Sequence, residues 1–323
     1  MVEDEAAPTR DHGGLIASAL APFVPVRARD RPHCIGYLSG EGARPDAVVK
    51  HLADLGYVEG RNLRFEVRII SEDDPRSPAV GAAELVRAEP DVLLAWLPER
   101  VTALAAATRT IPIVCGATGD PVGQGLAETL RRPGRNVTGL SVGLPERAEM
   151  MIGLLKSVRP GLRRMVTMHR FVDPASRNPW AIAMRPIAAA AEAARISHSF
   201  APVATHADVE RAFDTLGDRA GAAAHEGPQL GLPSEWLSAI ALRRRVVLIG
   251  NARDALMSHT FEHADADRRI ASIIDKIFRG ANPAEIPFEL PERMILVVNR
   301  TTARTIGVTF PQEVLLRATR VIG

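Results

Sequence analysis

The residues of this chain best suited to chemistry fall in three short motifs, and each motif needs a particular carrier. Gly139-Leu140-Ser141-Val142-Gly143 fits G-x-S-x-G, in which a serine nucleophile sits on a sharp turn between a strand and an immediate helix. Here Ser141 falls inside an extended run and Pro145 delays the next helix, so no nucleophile is expected. His259-Thr260-Phe261-Glu262-His263 has the H-x-x-E-H spacing that sets two histidines on one helical face for zinc. The preceding ALMSHTF reads as extended, which puts the two histidines on either side of a strand-to-helix loop. Ser39-Gly40-Glu41-Gly42 opens like a dinucleotide fingerprint, but Pro45 stands where the third glycine belongs and no acid closes the second strand. The expectation is no catalytic residue, no metal and no cofactor.

These motifs sit within a regular alternation of short β-branched runs and longer helical patterns, the mark of parallel sheets wrapped by helices. Strands are expected at Cys34–Leu38, Leu63–Ile69, Asp91–Ala95 and Ile111–Cys115, with helices over Arg44–Leu55, Pro78–Arg87 and Glu99–Thr108 between them. Gly56 suits a helix C-cap. A short helix is expected after GATGDPVGQG, then an extended run over Asn136–Val142. A second series follows, with strands at Arg164–Met168, Ile196–Val203, Gly221–Ala224 and Val246–Ile249. Its helices are expected at Asn178–Ala194, His206–Leu216 and Pro233–Leu242. The tail adds a helix over Ala264–Arg279 closed by Gly280, a strand at Met294–Val298 and a helical ending, more than one lobe needs. A chain that crosses more than once between two open sheets accounts for the surplus. Ligands of such folds bind beyond the carboxyl ends of the strands.

Composition points the same way. The 323 residues are 46% apolar and 4% aromatic, which suits two α/β cores of Ala, Val, Leu and Ile. Basic and acidic counts of 40 and 38 leave no polybasic stripe for nucleic acid. No apolar stretch reaches the roughly 20 residues of a membrane span, so no membrane insertion is expected. Cys34 and Cys115 each lie in an apolar run and read as small buried thiols. Residues 1–31 hold an apolar patch, Leu15–Val26, of signal-peptide length. Glu3, Asp4 and Glu5 precede it and Pro22 and Pro25 interrupt it, so the segment reads as a tail or a degenerate leader. Export to the periplasm is expected, with retention in the cytosol as the alternative.

Several longer stretches carry a family resemblance. They are Leu55-Gly-Tyr-Val-Glu-Gly-Arg-Asn-Leu63, Thr108-Arg-Thr-Ile-Pro-Ile-Val114, Gly119-Asp-Pro-Val-Gly-Gln-Gly125 and Arg132-Pro-Gly-Arg-Asn-Val-Thr-Gly-Leu-Ser141. Ala255–Ser258, Ile277–Pro283 and the block from Val298 to Pro311 continue it, in order, over about residues 33 to 322. In these stretches the chain resembles the ABC transporter substrate-binding proteins, in the branch related to tryptophan and tyrosine binders. The resemblance implies a type I periplasmic-binding-protein fold, α/β, with two doubly wound parallel-sheet lobes joined by hinge strands. Lobe one is expected at 32–140 plus 262–288, and lobe two at 141–261 plus 289–323. It also implies a small-molecule ligand held between the lobes, an ABC permease as partner if the chain is exported, and a monomer. The alternative is a cytosolic ligand sensor or partner-binding module of the same fold.

The resemblance places ligand contacts in loops at strand ends: Ser39 after the first strand, Pro98 and Glu99 after the third, Thr118 and Asp120 after the fourth. Asp120 would pair with a ligand ammonium; equally, Asp120-Pro121 suits a helix N-cap. Asn136 and Thr138 are expected as hinge backbone anchors. If the second series forms one sheet, Arg170, His225 and Glu226 emerge at its ligand edge, where Arg170 would grip a carboxylate or pair with Glu226. Three places depart from the family pattern: Trp96-Leu97-Pro98, Asp254-Ala-Leu-Met-Ser-His-Thr260 and His169-Arg170. They put the ligand class in question, and Trp96 is expected to fill space beside the cleft.

Overall fold

The computed structural model describes residues 31–40, 44–71, 74, 76–170, 179–216, 222–226, 232–250, 255–261, 263–290 and 294–323. Most of the expected tail, residues 1–30, lies outside them. The first series runs β1 (His33–Ser39), α1 (Asp46–Asp54), β2 (Leu63–Ile69), α2 (Ser77–Arg87), β3 (Val92–Ala95), α3 (Pro98–Ala107), β4 (Ile113–Thr118) and β5 (Val137–Ser141). These strands form one parallel sheet in the order β2-β1-β3-β4-β5. Inner strands such as β1 and β3 are buried on both faces, which is why they read as unbroken apolar runs. At the edge, β2 alternates and leaves Ile69 65% exposed. Gly56 ends α1 at φ +94°, a value that favours glycine.

The second series runs α4 (Leu144–Val158), β6 (Arg164–His169), α5 (Pro179–Ala193), β7 (Ser197–Pro202), α6 (His206–Asp214), β8 (Ala222–Glu226), α7 (Ser234–Arg244), β9 (Val247–Ile249) and β10 (Met257–Phe261). It is followed by α8 (His263–Phe278), β11 (Met294–Asn299), α9 (Arg300–Ile306), α10 (Gln312–Arg317) and β12 (Arg320–Ile322). Its sheet has seven strands in the order β12-β11-β10-β9-β8-β6-β7. All neighbours are parallel except β10 and β11, which run antiparallel.

Each sheet is covered on both faces. Helices α1 and α8 bury one face of the first sheet, through Val48, Leu52, Ile270 and Ile274, while α2 and α3 bury the other through Leu85, Val101 and Leu104. In the second sheet α4, α5, α9 and α10 cover one face and α6 and α7 the other. Helix α8 follows a strand of the second sheet yet packs on the first. Residues 286–290 then run beside β5, where Glu289 donates its N–H to Gly139 O at 2.9 Å and accepts from Ser141 N–H at 2.9 Å. The chain therefore passes between the sheets from β5 to α4, from β10 to α8 and again before β11.

Two expectations are corrected. Residues 121–130 form turns and not a short helix, because Asp120 Oδ1 accepts the Gly123 N–H at 2.8 Å and Gly125 takes φ +71°, which closes the turn before a helix can propagate. The chain also ends on a strand, β12, paired in parallel to β11. Both cysteines are free and buried, and burial pushes the Cys115 thiol up to about 12.

Candidate functional site

A cavity of about 320 Å³ lies at the C-terminal ends of β3, β4, β8 and β9, closed by α4 and α5. The first sheet contributes Trp96, Leu97 and Pro98 after β3 and Ala117, Thr118 and Gly119 at the end of β4. Trp96 can lie there because Gly116 has no side chain: a Cβ at that position would stand 2.3 Å from Trp96 Cε2. Tyr37 holds the indole edge-on at 5.8 Å between ring centroids. Thr118 donates its hydroxyl to Gln124 Oε1, so its one proton is already committed. Leu97 packs onto the core of the second sheet, and a Cβ on Gly119 would come within 3.1 Å of Leu144 Cδ2 and 3.3 Å of Ala183 O. The two lobes are thus in contact around the cavity.

The second sheet and its helices bring the polar chemistry. One face of α4 presents Leu144, Arg147, Ala148 and Met151, the i, i+3, i+4, i+7 spacing of a helix stripe, with an arginine inside an otherwise apolar row. Arg147 Nη2 donates to the backbone carbonyl of His259 at 2.5 Å, whereas its Nε has no acceptor. Among the described residues no carboxylate pairs with it. Burial holds the guanidinium below its ordinary value, yet an arginine in a protein stays charged.

Around that cation stand histidines held neutral. Burial, then Arg147, His198 and His169, push His225 down to about 3. His259 is pushed to about 4 by burial and then by Arg147. The Nδ1 atoms of His225 and His259 are buried without a hydrogen-bond partner. Behind them on the sheet, burial also lowers His169 and His198 to about 4, and His198 Nε2 pairs with Thr167 Oγ1 at 2.9 Å.

Of the residues expected at the site, Pro98, Thr118 and His225 line the cavity. Ser39 is buried and donates to Gly40 O at 2.9 Å, and Glu99 Oε1 lies 3.5 Å from Arg100 Nε; neither lines the cavity. Asp120 serves its own turn through the Gly123 N–H. Arg170 follows β6 outside the lining, and the side chain of Glu226, its expected partner, lies outside the described residues. Asn136 Nδ2 donates to Ile111 O at 2.8 Å and Thr138 Oγ1 donates to Ile286 O at 2.8 Å, tying neighbouring backbone to β5. Arg147 and His259 were missed as ligand candidates. The readable signal was a lone arginine in the apolar stripe of α4.

Ser141 ends β5 and is spent on the backbone, donating to Gly119 O at 3.4 Å and accepting from Gly143 N–H at 3.2 Å. His259 sits on β10 as the extended reading expected, while Glu262 lies outside the described residues, as do Glu41 and Gly42 of the glycine-rich turn. Among the described residues no group of three His, Cys, Asp or Glu side chains could hold a metal ion, and no helix is long and apolar enough to cross a membrane.

The sequence model of the ABC transporter substrate binding protein family matches residues 40–322. The chain belongs to that family. The ABC substrate-binding proteins are solute binders without catalytic chemistry, in keeping with a serine and histidines that serve the fold and the cavity wall. A tyrosine-binding protein of Clostridioides difficile (strain R20291) is 31% identical over 117 residues, 36% of this chain. That match spans only 33% of the relative's length. A conserved domain protein of Vibrio cholerae superposes with a TM-score of 0.72 at 27% identity, covering 89% of this chain and 99% of that one. An ABC domain from Streptococcus pneumonia in complex with L-Trp also reaches 0.72, at 22% identity, over 90% and 100% of the two chains. The fold is that of the type I periplasmic binding proteins, two α/β lobes with a cavity between them.

Proposed function

We propose that this chain is the capture component of an ABC-type uptake system, holding a small organic carboxylate between its lobes outside the cytoplasmic membrane. The observation that carries this reading is Arg147, a buried guanidinium with no anionic partner among the described residues, in a cavity whose other described lining is apolar or neutral. A buried charge is tolerated when a partner completes it, and the fork of donors on arginine matches a carboxylate in two parallel hydrogen bonds. The volume suits a compact organic molecule. Met151, Met184, Ile187 and Trp96 suit an apolar or aromatic body. The L-Trp complex and the tyrosine-binding relative agree with a carboxylate on an aromatic frame. Pro98, Thr118 and His225 are the expected contacts that remain candidates, joined by Arg147 and His259. An ABC permease would read closure of the lobes over the ligand.

The test is a thermal-shift screen of small organic acids and amino acids on the wild type and on Arg147→Met. A ligand that binds only the folded, closed form raises Tm by mass action. Carboxylates should raise Tm of the wild type and not of the variant. A hit series of neutral sugars or of cations, indifferent to Arg147, would refute the carboxylate reading.

A further inference from the structure

Resting on the carboxylate reading, we infer that the ligand carries a net charge of −1: a carboxylic acid with an apolar body and no ammonium group, as distinct from a zwitterionic amino acid. The inference comes from the charge balance of the cavity. Among its described lining side chains Arg147 alone bears a formal charge, and the other polar ones are Thr118, Thr260, His225 and His259. The Thr118 hydroxyl already donates to Gln124 Oε1, and the two histidines are neutral with uncommitted Nδ1 atoms.

A monoanion entering this space brings the charge of the described lining to zero. A zwitterion brings a carboxylate for Arg147 together with a new cation, so the described lining is left at +1 in largely apolar surroundings that solvate charge poorly. An ammonium group would need an anion of its own. Asp120, the acid that the sequence favours for that task, is turned to the Gly123 N–H, and Glu289 is paired with Arg269 at 2.9 Å and Lys276 at 3.6 Å. Neutral imidazoles suit a hydroxyl or carbonyl oxygen beside the carboxylate, since each can donate or accept according to tautomer.

Matched pairs decide the matter by calorimetry on the full chain at pH 7.5. The probes are 3-phenylpropanoate, 3-phenyllactate and phenylpyruvate against L-phenylalanine, and 4-methyl-2-oxopentanoate against L-leucine. The acid without the amino group should bind at least tenfold more tightly in one pair or both. Equal or tighter binding of the amino acids overturns the inference and leaves the carboxylate reading standing. Silence from every probe overturns both. In His259→Asp, which adds a carboxylate beside Arg147, the preference should shrink at least tenfold or reverse. An unchanged preference in a variant that still folds and binds would show that the Arg147 charge is not its source.

Discussion

From the five-stranded lobe the cavity receives Trp96, Leu97, Pro98 and the Ala117–Gly119 turn, none of them charged, whereas the seven-stranded lobe supplies Arg147, His225 and His259. On the proposed carboxylate reading, the two halves have different work. A cation with an unused donor can hold an anion while the cleft is open, and a largely apolar surface can then close on the rest of the ligand. Closure strengthens the held ion pair by excluding water. On this view the seven-stranded lobe captures and the five-stranded lobe covers.

The largest effect should come from Arg147→Met, which removes the anchor and keeps the apolar stripe of α4. Affinity for a carboxylate ligand should fall roughly a hundredfold or more, while Tm of the unliganded protein stays level or rises because a buried cation with no carboxylate partner among the described residues is gone. A variant that binds within threefold of wild type would move the capturing role away from the seven-stranded lobe.

Gly119→Val tests the covering lobe. Its Cβ would meet Leu144 Cδ2 at 3.1 Å and Ala183 O at 3.3 Å, both across the cleft, so the closed state should be propped open. About tenfold weaker binding is expected, a size ordinary for overpacking, with little change in unliganded Tm. X-ray scattering should show a smaller contraction on adding ligand than in wild type.

The histidines sharpen the comparison through pH, since all four with lowered values belong to the seven-stranded lobe. Each is held at about 3 to 4 when folded, against roughly 6.5 in the unfolded chain. As pH falls below 6.5 the unfolded chain takes up protons that the folded chain refuses, so stability drops from pH 6.5 to about 4. For the fully buried His169 this amounts to roughly 2 kcal/mol by pH 5. Tm measured from pH 7.5 to 4.5 should decline, and His169→Phe should flatten the decline. A profile unmoved by that substitution would mean that His169 protonates freely in the folded state.

Asp120→Ala is expected to do least. Loss of the Gly123 N–H contact should lower stability by roughly 0.5–1.5 kcal/mol and leave affinity within threefold of wild type by calorimetry. A tenfold loss would return Asp120 to the binding site and break the charge division between the lobes.

Much of the scaffold was readable because it rests on local periodicity. Runs such as VLLA at β3 and the C-cap glycine of α1 mark their elements whatever surrounds them. The antiparallel β10–β11 pair and the closing strand β12 were not readable, since strand direction and pairing depend on partners tens of residues away. Asp120 shows the same limit at a single residue. Its sequence context suited a ligand contact or a backbone cap equally well, and the local turn took the carboxylate.

The sequence by itself determined the two-sheet α/β architecture and the family, because hydrophobic period, glycine punctuation and long ordered motifs act within short windows. Only the tertiary structure decided which strand-end residues face one another. It kept Arg170 off the cavity wall and brought Arg147 from the start of α4 beside His225 and His259. The physical reason is that burial and charge pairing belong to assembled neighbours. A lone arginine in an apolar helical stripe acquires its meaning when the chain crosses between the sheets and sets a largely apolar cavity around it.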